Sequence, residues 1–216
     1  MNTNSYNISG INGAFIVLFI FFGITTLFHP FFNINSISYY WLSFTVLTGI
    51  WEYIYITNRK YVSNKSLHLL DTKTHVWFTK YNINMILPWN TSYIFYSEYG
   101  AYADKEYMSN KDNWSIIIEG SHAVFCGIFA LLSLYFKFLN NTKNFYITLS
   151  ISMGTQLMNS ILYMSEYLIQ IKTPTNINYD SPKFPCGKYL AKRPFMYINI
   201  FWTLMPIYIL FYELFC

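Results

Sequence analysis

Glu119 and His122 stand three residues apart inside an apolar run, with Ile116, Ile117 and Ile118 before them and Ala123, Val124 and Phe125 after. On a helix this spacing puts both side chains on one face. Apolar surroundings favour the neutral form of a carboxyl, and an imidazole beside it can exchange the proton, so the pair is equipped as a general acid or a proton relay. Glu52 lies in a second apolar run, within Gly49-Ile50-Trp51-Glu52-Tyr53, and Thr48 sits one turn earlier on the same face as a donor to it. Asn199 and Trp202, again three apart, share a face of the last apolar run, with Pro206 one turn later. Gln156 and Asn159 read as polar glue between helices. Glu166 reads as the boundary of its run, and Glu213, near the end of the chain, is expected to be wet.

Other chemistries lack their residues. There is no Gly-rich phosphate loop, no Gly-x-Ser-x-Gly elbow and no His-Glu-x-x-His. His29, His68, His75 and His122 lack metal-ligand spacing, and Cys126, Cys186 and Cys216 are too far apart for a zinc site. Cys126 reads as core filler, and a Cys186–Cys216 bridge stays open. No metal and no cofactor is expected. Proton chemistry remains.

The elements that must position these groups are apolar runs of about 20 residues, the length that crosses a hydrocarbon core of about 30 Å. Five are expected: Gly13 to Phe32, Ile37 to Ile56, Ser115 to Phe138, Phe145 to Ile169, and Phe195 to Phe215. The second stops at Thr57-Asn58-Arg59-Lys60, and the first ends at His29-Pro30. Between the second and third lies a charged connection whose stretches Leu67 to Trp77 and Ile83 to Tyr96 are amphipathic or aromatic-rich. Pro88 and Trp89 are expected to break the second stretch, and both stretches are expected to lie at the mouth of the bundle. The reading is an all-α integral membrane protein, one domain over residues 1–216, with five transmembrane helices and a long amphipathic connection between spans two and three. The start of the chain lacks the basic region and cleavage site of a secretory signal, so the first run is expected to be retained. Most Lys and Arg fall on the side of that connection, which favours that side as cytoplasmic, but the connection also carries acidic residues, and the orientation stays open.

Composition supports this solvent. Hydrophobic residues make up 54% of the 216-residue chain and charged residues 11%, against about 25% charged in an ordinary soluble domain. Aromatics reach 22%, with 21 Tyr, 20 Phe and 6 Trp, more ring surface than a soluble core of this size can enclose. Tyr and Trp suit the membrane–water boundary, where one end of the ring stays wet. The net charge of +4 is spread over connecting segments, with no basic groove interleaved with aromatics, so nucleic acid is not an expected partner. A charge at the centre of a membrane helix costs at least about 2.5–3.5 kcal/mol, so Glu52 and Glu119 with His122 mark a functional chamber by default.

Several stretches, in order, resemble the emopamil-binding protein family of sterol isomerases, within the wider EXPERA group. Glu98-Tyr99-Gly100-Ala101-Tyr102-Ala103-Asp104-Lys105-Glu106-Tyr107 is similar to that family's Glu-Tyr-…-Gly-Asp-Ser-Arg-Tyr stretch ahead of the third span. Asp112 with Glu119 matches its Asp-x-Phe-x-x-x-x-Glu spacing. Gln156 to Tyr163 resembles its Gln-x-x-Gly-x-x-x-Tyr run, with Asn159 at the glycine. Asn199-Ile200-Phe201-Trp202-Thr203-Leu204-Met205-Pro206 resembles its Asn-x-x-Trp-x-x-x-Pro signature. The EXPERA-like region spans about 37–215. Thr48 stands where the family usually has His, and His122 where it usually has Thr, so the histidine has changed helix. Asp104-Lys105-Glu106 replaces the family's Asp-Ser-Arg.

The resemblance implies a multi-pass protein of the endoplasmic reticulum membrane that shifts a sterol double bond from C8–C9 to C7–C8. A general acid protonates C9, a carbocation forms at C8, and a base removes a proton from C7. Glu52, Glu119 and His122 would carry the proton traffic. Thr48, Asp104, Asn199 and Trp202 would bind substrate, with the Trp202 ring facing the cation. Implied partners are the sterol, cationic amphiphilic amines that mimic the carbocation, the lipid bilayer, and a second copy of the chain in a homodimer. The alternative from another class is a non-catalytic sterol- or amine-binding protein of the same fold, like the emopamil-binding-like and sigma-2 receptor relatives. A small proton-coupled transporter is a third reading, disfavoured because no broken helix pair or inverted repeat is visible.

Overall fold

The structure, a computed structural model, describes residues 7–103, 121–172 and 195–216. Among them are seven α-helices: α1 (Gly10–Phe28), α2 (Ser36–Thr57), α3 (Arg59–Thr72), α4 (Pro88–Glu98), α5 (Ser121–Phe138), α6 (Thr142–Lys172) and α7 (Phe195–Phe215). Two three-residue strands, β1 (Asn7–Ser9) and β2 (Lys80–Asn82), pair antiparallel with Asn7 opposite Asn82. That ribbon, which apolar periodicity does not anticipate, ties the segment before α1 to the connection after α3.

Local chemistry sets the helix ends. Ser9 accepts from the backbone N–H of Asn12 at 3.4 Å, and Asn35 accepts from Ile37 and Ser38 at 2.9 and 3.4 Å, so each satisfies donors that the first turn leaves open. The polar Thr57-Asn58 does not end the helical path. The backbone bends at Asn58 (φ −123°, ψ 21°) while its amide donates to the Ile54 carbonyl at 2.9 Å, and α3 starts one residue later. Pro88 does not break a helix but begins α4. At that position its missing N–H would have had no intrahelical partner and its fixed φ is already helical. The fourth apolar run is longer than its sequence suggests, since α6 extends to Lys172.

The long helices alternate in direction. Gly49 of α2 meets Gly127 and Ala123 of α5, while Phe32, just before α2, reaches Phe138 at the far end of α5 with ring centroids 6.0 Å apart. α5 and α6 form a tight hairpin through Leu139–Asn141, with Asn140 in the left-handed region (φ 55°) that Asn tolerates. Thr203 of α7 donates to Met164 Sδ of α6 at 3.6 Å, whereas Ile209 joins Phe145 and Leu149 near the start of α6. The main core lies among α2, α5, α6 and α7, around Trp41, Leu42, Ala130, Phe145, Met153 and Ile209.

The outer surface is apolar while polar side chains are enclosed within the core. Phe19 and Leu27 of α1 are 81% and 73% exposed, and Phe211 of α7 is 62% exposed, while Ser38, Thr45, Ser133, Ser152 and Gln156 are buried. Apolar surface on this scale needs a covering phase. Two described segments, Gly10–Phe31 and Tyr197–Phe215, are long and apolar enough to cross a bilayer. Glu213 departs from its expectation: it is half-buried, with one carboxyl oxygen enclosed and without a hydrogen-bond partner.

Candidate functional site

One face of α2 carries Trp41, Thr45, Thr48, Gly49 and Glu52, spaced i, i+4, i+7, i+8 and i+11, and it is the axis around which the polar interior is arranged. Glu52 is 3% exposed. It neither reaches solvent nor sits at a helix end: the phenol of Tyr96, from α4, donates to its Oε2. Tyr96 is itself buried and stacks on Tyr55 of α2 with centroids 4.9 Å apart. Burial first, and the neighbouring Glu52 carboxylate next, push the Tyr96 phenol well above its ordinary pKa of 10.0. One turn earlier on α4, the Ser92 hydroxyl donates to the Trp51 carbonyl at 2.7 Å and fixes α4 against α2. A carboxyl that shares a buried hydrogen bond with a phenol can hold or release a proton without water.

His122 faces another neighbour. Its Nε2 lies 2.7 Å from the carbonyl oxygen of Thr155 on α6. A carbonyl only accepts, so Nε2 carries the proton and donates, leaving Nδ1 as the basic nitrogen. Cys126 Sγ is 3.2 Å from the same Nε2 and 3.2 Å from the Thr155 hydroxyl. Ser152 donates to the Cys126 carbonyl at 2.9 Å, and Ser133 donates to Thr148 at 3.1 Å. These positions form a polar seam between α5 and α6, of the kind that joins helices where apolar contact alone gives no specificity. Ala123 and Gly127, by contrast, are α5 positions that meet α2. Thr48 donates to the Thr45 carbonyl of its own helix at 3.1 Å. The two positions at which the histidine is exchanged therefore engage different neighbours.

Trp202 belongs to an aromatic group two to three turns from Glu52. Its ring stacks on Phe44 (5.8 Å) and tilts against Trp41 (4.7 Å). Phe44 and Glu52 are eight residues apart, about 12 Å along the helix axis. The Trp41 indole donates to Gln156 Oε1 of α6 at 2.9 Å, so Gln156 joins α6 to α2. Asn199 is half-buried one turn before Trp202, and its carbonyl accepts from Thr203 at 2.9 Å. Glu119, Asp104, Asp112 and Cys186 lie outside the described residues, as does the side chain of Glu166.

Tyr96, the partner of Glu52, is the site residue that sequence reasoning missed. Its signal was present, because Pro88 as a helix start places Ser92 and Tyr96 on one face. A second buried carboxylate, Glu98, accepts from the Val76 N–H at 3.0 Å and lies 2.6 Å from His75 Nδ1, whose ring stacks on Tyr102 at 4.1 Å. This clamp closes the connection rather than joining the α2 face. Among the described residues no group of His, Cys, Asp and Glu could hold a metal ion. No family model, curated protein or solved structure matches this chain.

Proposed function

We propose that this chain is a multi-pass protein of the endoplasmic reticulum membrane that isomerises a sterol from Δ8 to Δ7. The observation that carries the reading is Glu52, a carboxyl buried on the inner face of α2 and bonded to the Tyr96 phenol. The sequence resemblance to the sterol isomerases puts a glutamate at this place, and isomerisation asks for a proton donor and acceptor in a dry site and for no cofactor. In this reading the lipid-facing exterior of α1 and α7 lets the substrate enter from the bilayer. Glu52 and Glu119 move the protons at C9 and C7, and Tyr96 holds Glu52 in position. Trp202 and Asn199 line the end of the slot away from Glu52, where the distance along α2 separates them from the acid. Cationic amphiphilic amines, as mimics of the carbocation, would compete with substrate beside the acidic groups.

Expression in a yeast strain lacking its own sterol isomerase tests the reading. Conversion of Δ8 to Δ7 sterols is expected, lost in Glu52→Gln and in Glu119→Gln and kept in Asp71→Asn; no conversion by well-expressed wild type would overturn it. A second reading, a non-catalytic sterol- or amine-binding protein, is favoured by one observation: His122 is engaged with Thr155 of α6 and Thr48 with Thr45 of its own helix, so the exchanged histidine is held by a different helix from the position it would replace. Amine binding without conversion would select it.

A further inference from the structure

Away from the α2 face, a cleft of about 220 Å³ opens between α3, β2 with the turn after it, and α4. Its walls include Tyr61, Lys65, Asn82, Asn84, Asn90 and Tyr93, with no carboxylate among the lining residues. Lys65 is half-buried there, and no salt bridge to it is found among the described residues. Asn82 uses its Oδ1 to accept from the Asn84 N–H at 3.0 Å, which leaves its amide nitrogen as a donor. Tyr61 and Tyr93 meet edge to face, ring centroids 5.4 Å apart, and both line the cleft. The cleft is thus lined by an ammonium, an amide donor and two phenols.

Size narrows the occupant. Pockets that take drug-sized ligands run from roughly 300 to 1,000 Å³, so a cleft of about 220 Å³ suits a smaller group, and a tetrahedral oxyanion fits it. Position narrows it further. Met85, also in the wall, is the residue against which Gly13 packs at the start of α1, so the cleft lies beside the end of an exposed apolar helix.

We infer that this cleft binds a phosphate-bearing anion, the phosphodiester or phosphomonoester headgroup of a membrane lipid. Lys65 would supply the charge, and the Asn82 amide with the Tyr hydroxyls would donate to the oxygens. The placement at the bilayer surface rests on the membrane reading above; anion binding does not, and neither needs the isomerase reading.

The test uses the full chain purified from neutral phosphatidylcholine nanodiscs and from nanodiscs containing one-tenth phosphatidic acid, with retained lipid counted by native mass spectrometry. Wild type is expected to keep one phosphatidic acid in preference to phosphatidylcholine. Lys65→Gln should reduce that retention at least fivefold, Lys65→Arg should preserve it, and Lys143→Gln at the opposite end of the bundle should leave it unchanged. In a separate arm, 31P line broadening of inorganic phosphate in neutral detergent reads binding of the free ion. Broadening that Lys65→Gln removes, without lipid preference, would overturn the headgroup assignment and leave a free-phosphate site. No preference and no broadening by wild type, or equal losses in Lys65→Gln and Lys143→Gln, would overturn the cleft as an anion site altogether. Each of these outcomes is independent of sterol conversion.

Discussion

The Glu52–Tyr96 contact joins a carboxyl from α2 to a phenol from α4 where neither can reach water. Removing the phenol deprives a buried acceptor of a donor, which costs about 1–3 kcal/mol. Tyr96→Phe should therefore lower thermal stability in detergent by that amount while leaving the helix content intact by circular dichroism. The pH dependence has a fixed sign. The Tyr96 pKa is raised in the folded protein above the ordinary 10.0, so the folded state keeps a proton that the unfolded chain loses. The stability from this group is complete below pH 10 and is lost as the pH rises through the native value. Thermal midpoints measured from pH 8 to pH 11 should fall at the alkaline end, less steeply in Tyr96→Phe. The partner of Glu52 was not legible in its own neighbourhood of sequence, because Tyr96 lies 44 positions away.

Helices α2 and α5 touch at their backbones through Gly49 and Gly127. A Cβ on Gly49 would come within 3.0 Å of both the Ala123 carbonyl oxygen and the Gly127 Cα, and one on Gly127 within 3.1 Å of the Gly49 Cα. Small residues at a crossing of this kind let two helices approach closely enough for continuous packing. Gly49→Leu is expected to destabilise by about 1–3 kcal/mol or more through overpacking. Gly154, with open space around its Cβ position, gives the contrast: Gly154→Ala should stabilise by about 0.5–1 kcal/mol, as a helical glycine gains by losing backbone freedom in the unfolded chain. Chemical or thermal unfolding of the purified protein measures both. The apolar runs showed where helices α1, α2 and α7 lie, since length and composition suffice for that. They did not show α4, where Pro88 looked like a breaker although it stands at a start, nor the β1–β2 ribbon, whose three-residue strands carry no periodicity. Nor did they reveal that His122 bonds α6 while Gly49 meets α5, because the rotation of each helix is set by its neighbours rather than by its own pattern.

Among the described residues the interior sets hydroxyls, the Gln156 amide and the Glu52 and Glu98 carboxyls within an aromatic and aliphatic core, and the exterior is rich in phenylalanine, leucine and isoleucine. With two segments long and apolar enough to cross a bilayer and five long helices alternating in direction, the multi-pass reading places the two ends of the chain on opposite sides of the membrane. A maleimide that does not cross the bilayer should label the exposed Cys216, in a Cys186→Ser background, from the side opposite an amino-terminal tag; labelling and tag on the same side would require an even number of spans. The central proposal is that Glu52, together with Glu119, moves a proton onto one carbon of a sterol and off another. Its most direct measurement is conversion of a Δ8-sterol by the purified protein in deuterium oxide, with the product analysed by mass spectrometry and NMR. The account predicts a Δ7-sterol carrying one deuterium at C9, formed by wild type and not by Glu52→Gln. Recovery of unchanged, unlabelled Δ8-sterol from folded wild type, or conversion that Glu52→Gln leaves intact, would contradict it.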